Sequence, residues 1–157
     1  DITVEDGKGL DVDTKMNRAV AMVRFVTTDN VPYNVSTMQF YYTGGSSTLD
    51  ALTGTGCVNS RQTVKRPVAD DIKGKPGKFD IYTFPKSDKQ VLKVEVTGLD
   101  SDGNELYRKT FDEVPIARNQ ITQYTGALFT NSSGISDASD KFTLTTDDEW
   151  KIVEKTY

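Results

Sequence analysis

The sequence predicts an all-β fold, an antiparallel β-sandwich, and three observations predict it. Apolar and polar residues alternate with a period of two in stretch after stretch. Turn signals rich in Gly, Pro, Asp and Ser separate these stretches at short intervals. Helical periodicity hardly occurs. About eight or nine strands follow, in two packed sheets, with a closed barrel as the alternative architecture. The 157 residues suit one domain with a sizeable core.

The strands can be read in order. Residues 18–27 put Ala19, Ala21, Val23 and Phe25 on one face and Val20, Met22, Arg24 and Val26 on the other. Both faces are largely apolar, as in a central strand covered over most of its length. Residues 35–42 alternate through Met38, Phe40 and Tyr42, and residues 78–84 through Phe79 and Ile81. The cleanest alternation is 91–97, with Leu92, Val94 and Val96 inward and Lys93, Glu95 and Thr97 outward. Asp100-Ser-Asp-Gly-Asn104 supplies turn chemistry before Leu106–Phe111, so the two runs read as an antiparallel hairpin with Gly103 free to take positive φ. Residues 119–129 and 140–146 add two strands, and Trp150–Val153 begins another. Residues 44–56 read as a loop with one helical turn at Thr48–Leu52, and Pro67–Gly77 as a second loop. Residues 131–157 form a polar linker followed by an edge hairpin.

Charge and composition exclude several classes. The net charge is −4 and no basic block occurs, which disfavours nucleic acid as a partner. The densest lysines (Lys73, Lys75, Lys78, Lys86, Lys89 and Lys93) are broken by Asp80 and Asp88. They read as a solvated face or as lysines guarding an edge strand. Cys57 is the one cysteine, so neither an intrachain disulfide nor a cysteine-based zinc site is expected. Histidine is absent, which removes the commonest general base and transition-metal ligand. No apolar run reaches the length of a membrane-spanning helix. The chain opens on Asp1, and the expectation is a removed leader or a longer protein of which this is one part.

Each candidate for chemistry has a plainer reading. Asp100–Glu105 resembles a calcium loop, yet the position eleven residues after the first aspartate is Phe111 rather than glutamate. Asp70-Asp71 and Asp147-Asp-Glu149 are adjacent acids, whereas a glycosidase needs carboxyls facing each other across about 5–10 Å. Gly44-Gly45 and Gly54-Thr-Gly56 lack the lysine and the strand-then-helix setting of a phosphate loop. Cys57 has no histidine to activate it. The sequence is therefore read as non-enzymatic, with no cofactor, no metal and no catalytic residue. Tyr41, Tyr107 and Trp150 are candidate ligand-facing rings for a carbohydrate, which makes a glycan-binding module the alternative function.

The stretch Val114–Thr130 is the most informative. Pro115 is read as stopping the preceding ladder, Arg118 as a structural ion-pair member and Asn119 as bonding the backbone of a corner. Gly126 is read as relieving crowding or marking a bulge. With Arg18–Val23, the hairpin Leu92–Phe111, Arg118-Asn119, Ile121-Thr122, Gly126, Leu128–Thr130 and Phe142–Thr145, the chain resembles the Bacteroidetes fimbrillin superfamily. The likeness is to its fimbrial anchor and accessory-subunit lipoproteins of type V pili, over roughly residues 16–157.

The resemblance implies a transthyretin-like, immunoglobulin-like sandwich of seven or more strands. It implies export to the bacterial envelope and the outer-membrane surface, with membrane attachment only through an anchor outside this chain. Two-domain members imply that this chain is one half of a longer protein or a single-domain relative. Pro115, Arg118, Asn119, Thr122 and Gly126 would then be architecture. The implied partners are other fimbrial subunits or surface proteins, met by strand pairing, and glycans in the alternative reading. An incomplete sandwich offers a sheet edge and an apolar face that an extended segment can fill. The 140–155 hairpin and Ile2-Thr-Val4 are the segments considered for such pairing, the latter being too short for a donor strand.

Overall fold

A computed structural model describes residues 18–130, 143–145 and 151–152, with side chains given for residues 18–130. Strand β1 covers Ala21–Asn30, β2 Thr37–Thr43, β3 Leu49–Asp50 and β4 Thr55–Gly56. Strand β5 covers Gln62–Pro67, β6 Pro76–Thr83, β7 Gln90–Leu99 and β8 Glu105–Ile116. Strand β9 covers Gln120–Gly126, β10 Thr143–Thr145 and β11 Lys151–Ile152. No helix occurs among the described residues, and the fold is all-β.

One sheet has the order β10-β9-β1-β6, with β11 also on β9; the other has the order β5-β2-β7-β8. The inward alternation read from the sequence meets between them. Ala21, Val23 and Phe25 of β1 face Met38, Phe40 and Tyr42 of β2 and Leu92, Val94 and Val96 of β7, all at 2% exposure or less. Phe25 is the hub of an aromatic cluster. Its ring lies 5.6 Å from Phe40, 5.0 Å from Phe111 and 5.9 Å from Tyr124. Rings from four strands of both sheets thus fill one layer, which makes the architecture a β-sandwich.

Strand β1 is central, between β9 and β6, as its two apolar faces require. Its pairing with β6 is antiparallel, but its pairing with β9 is parallel, Met22 opposite Ile121 through Thr27 opposite Gly126. An antiparallel sandwich is therefore the right class, with parallel pairing where β9 meets β1 and the short β11. Alternation fixes which face a residue occupies and is blind to strand direction. Direction here comes from the corner at residues 117–119, which carries the chain from the second sheet into the first.

The hairpin of β7 and β8 turns as its sequence predicts. Asp100 Oδ1 accepts the backbone N–H groups of Asp102 at 2.9 Å and Asn104 at 2.8 Å, while Gly103 sits at φ +85°. The Asn104 side chain donates to Asp100 Oδ2 at 3.0 Å. The carboxylate that made this loop look like a calcium site is occupied by its own turn.

Four local expectations are corrected. The single turn expected at Thr48–Leu52 falls two residues later, at Asp50–Gly54, where the Gly54 N–H to Asp50 O bond at 2.8 Å closes a small hairpin of β3 and β4. Thr97 lies on the outer side of β7 yet is 3% exposed. Strand β9 ends at Gly126 rather than running through 129. Strand β5 went unread because Gln62-Thr-Val-Lys-Arg-Pro67 is an exposed edge strand with one apolar anchor, Val64, packed on the core. The expected linker 131–140 lies outside the described residues.

Candidate functional site

The corner after β8 joins the two sheets, and short polar contacts hold it. Asn119 takes φ +55°, a left-handed conformation that asparagine tolerates better than most residues, and its N–H donates to Val20 O at 3.1 Å. Thr122 is buried and donates from Oγ1 to Pro115 O at 2.5 Å, tying β9 back to β8. Pro115 does not stop the ladder: it pairs with Val91, and the ladder continues to Ile116 opposite Gln90. A proline is accommodated there because β8 is an edge strand, where one row of N–H groups needs no partner. Arg118 Nη2 reaches Asp88 Oδ1 at 3.6 Å, an exposed ion pair of small energetic weight. Gly126 is buried and pairs with Thr27 without a register shift, so it marks the end of β9 rather than a bulge.

Past Gly126 the chain is clasped by Asp29. Its Oδ1 accepts Leu128 N–H at 2.9 Å; its Oδ2 accepts Phe129 N–H at 2.6 Å and the N–H and hydroxyl of Thr130 at 2.9 Å each. Burial would raise the Asp29 pKa, but these bonds outweigh it and hold the carboxyl below its usual range. The Phe129 ring meets Tyr107 edge-on at 5.3 Å, and Lys109 Nζ donates to Ala127 O at 2.7 Å. The turn is thereby fixed to both sheets. Asp29 carried no sequence signal; Asp29-Asn30 reads only as a strand end.

The sandwich has four lateral strand edges, each handled differently. Strand β5 is short, carries Lys65 and Arg66, and ends in Pro67. On β8, two residues, Asp112 and Glu113, oppose Lys93, with Glu113 at φ +53°; this bulge and Pro115 interrupt the edge. On β6 and at Phe84 just past its end, carbonyls at alternate positions are taken from the facing sheet and the neighbouring loop. Arg66 Nη2 donates to Asp80 O at 3.4 Å, Tyr42 OH to Tyr82 O at 2.9 Å, and Ser46 N to Phe84 O at 3.1 Å.

The Tyr42 hydroxyl belongs to a network with Gln62 Oε1 (3.3 Å) and, through Gln62 Nε2, Thr83 Oγ1 (3.0 Å). Burial pushes its pKa up to about 12, against a smaller downward pull from Arg66. Gly45 permits this packing, since a Cβ there would strike Thr83 Oγ1.

Among the described residues, the β9 edge alone is covered by strand pairing. Strand β10 lies antiparallel on Gln123–Thr125, and β11 parallel on Gln120–Ile121. Two short pieces of opposite direction therefore share one edge.

The three candidate rings do not converge. Tyr41 is on the outer face of the second sheet, 37% exposed, opposite Glu95 and Thr63. Tyr107 is half-buried against Phe129, and Trp150 lies outside the described residues. Among the described residues no three acidic or cysteine side chains gather in a metal-binding group, and no buried side-chain nitrogen or oxygen lacks a hydrogen-bond partner.

Fold and edges define the class of this molecule: a two-sheet β scaffold whose strand edges are individually closed. Within that class the chain belongs to a family of unknown function, DUF6562, whose model matches residues 1–153. No curated protein and no solved structure matches it.

Proposed function

We propose that this chain is a non-enzymatic, fimbrillin-like subunit of the bacterial cell surface that acts in assembly, anchoring or adhesion through strand-mediated docking. The docking edge is β9. The observation that carries the reading is the divided cover of that edge by β10 and β11, against bulge, proline, charge or side-chain blocking on the others. One continuous partner strand would replace two short ladders with a single longer one, gaining backbone bonds at a row already shaped for pairing. The resemblance to fimbrial accessory subunits supports the same reading. It carries with it export to the outer-membrane surface, a transthyretin-like relationship of the sandwich, and tethering through an anchor elsewhere.

The test is pairing in trans. A spin-labelled peptide of residues 140–157 is added in excess to the isotope-labelled intact chain. Paramagnetic broadening confined to the amides of Gln120–Gly126 is expected. No broadening there, or equal broadening along β5 and β8, would sink the reading.

A further inference from the structure

Between β5 and β6, across β1 from the docking edge, lies a groove of about 330 Å³. That volume is at the lower end of the range for small-ligand sites, about 300–1,000 Å³. Phe79 is buried in its lining, Ile72 forms part of its wall, and the Tyr82 ring stands beside it at 44% exposure. Three charged groups line it. Asp80 is neutralised, because its two carboxylate oxygens accept from Arg24 Nε at 2.8 Å and Nη2 at 3.1 Å. Arg66 and Lys78 remain, and among the described residues neither is in an ion pair. On a chain of net charge −4 the groove is a local concentration of positive charge beside an exposed ring.

The backbone chooses between ligand classes. A peptide strand entering here would need the outward carbonyls of β6, and those of Asp80 and Tyr82 are already bonded to Arg66 and Tyr42, as is that of Phe84 just past the strand to Ser46. A ligand that recognises side chains alone does not meet that obstacle. We infer that the β5–β6 groove binds an acidic saccharide, with a pyranose face against the Tyr82 ring and its carboxylate between Arg66 and Lys78. Guanidinium and ammonium supply charge-assisted hydrogen bonds to the carboxylate. The ring's apolar face suits the C–H face of a sugar, with its hydroxyl toward water. This site is independent of strand docking at β9, so the failure of one leaves the other standing.

The experiment titrates the intact chain with an oligogalacturonate, a neutral maltooligosaccharide and an oligoglutamate of matched charge, followed by calorimetry and amide shifts. Saturable binding of the oligogalacturonate is expected, with shifts centred on Arg66 and Lys78–Tyr82, and none for the neutral sugar. Arg66→Ala and Tyr82→Ala should each weaken it about tenfold or more, a loss of about 1.4 kcal/mol or more. Arg66→Lys and Tyr82→Phe, which keep charge and ring, should retain most of it and show that the fold is intact. Absence of oligogalacturonate binding, binding unchanged in both alanine variants, or equal binding of oligoglutamate would overturn the inference.

Discussion

Asp29 and Thr130 meet twice: the carboxylate of one accepts both the backbone N–H and the hydroxyl of the other, each at 2.9 Å. With Leu128 and Phe129 also bonded, a single side chain at the end of β1 fixes the point where the chain leaves β9. Asp29→Ala would strand the N–H groups of buried Leu128 and Phe129. A loss of about 1.5–3 kcal/mol is expected, the range for hydrogen bonds to a charged group. Urea denaturation measures it, and hydrogen exchange should show the amides of 128–130 opening first. Unchanged protection there would refute the clasp.

The same carboxylate sets an acid limit. The folded-state pKa of Asp29 lies below its unfolded value of about 3.9. Its contribution is complete above that value and is lost as pH falls through the lower, folded one. Asp50, Asp70 and Asp100 are also held low by hydrogen bonds, so the comparison must be differential. Asp29→Asn should be less stable than the parent at neutral pH, and the gap between the two should narrow below about pH 4. A gap constant with pH would contradict the assignment.

Tyr42 sets the opposite limit. Its folded pKa is raised to about 12 while the unfolded phenol titrates near 10, so its contribution is complete below about pH 10 and is lost as pH climbs towards 12. Tyr42→Phe should cost about 0.5–1.5 kcal/mol at neutral pH by freeing Tyr82 O. It should also flatten the alkaline fall in stability. Phenolate absorbance, compared between parent and variant, should assign the latest-titrating tyrosine to residue 42.

At the core, Phe25 touches rings from both sheets, so Phe25→Ala should cost about 3–5 kcal/mol as a transfer term plus a cavity. Phe25→Leu, which refills part of the volume, should cost visibly less. Thermal and urea unfolding distinguish them, and equal losses would mean that the site collapses freely.

What the sequence made legible divides along physical lines. Met38-Gln-Phe-Tyr-Tyr42 and Leu92–Val96 alternate because one face meets the core, and that is where the reading of faces held. The Asp100–Asn104 turn was legible because its geometry depends on local residues alone. Strand β5 was not, since an edge strand with one apolar anchor gives no period. The parallel seam between β1 and β9 left no trace, because side-chain pattern carries no direction. Pro115 was misread for a related reason: proline ends an interior ladder, but β8 proved to be an edge. Asp29 and the Arg66–Lys78 groove were hidden because their partners lie far along the chain, as with Asp29 and Thr130, 101 positions apart.

Pro115 bears on self-association as well as on the corner. Strand β8, at twelve residues, is the longest among the described residues, and an unbroken edge of that length would template another copy. The ladder under it shifts register at Asp112-Glu113 and again at Leu106, and Pro115 removes one donor from the edge. Pro115→Val restores an N–H on the free edge and suits the strand conformation, so the folded chain should gain stability or stay level. Sedimentation velocity should then show concentration-dependent self-association stronger than in the parent. A cysteine-free background (Cys57→Ser) keeps the exposed thiol from linking copies covalently. If Pro115→Val sediments as the parent does at every concentration, the register shifts on β8 guard the edge without the proline.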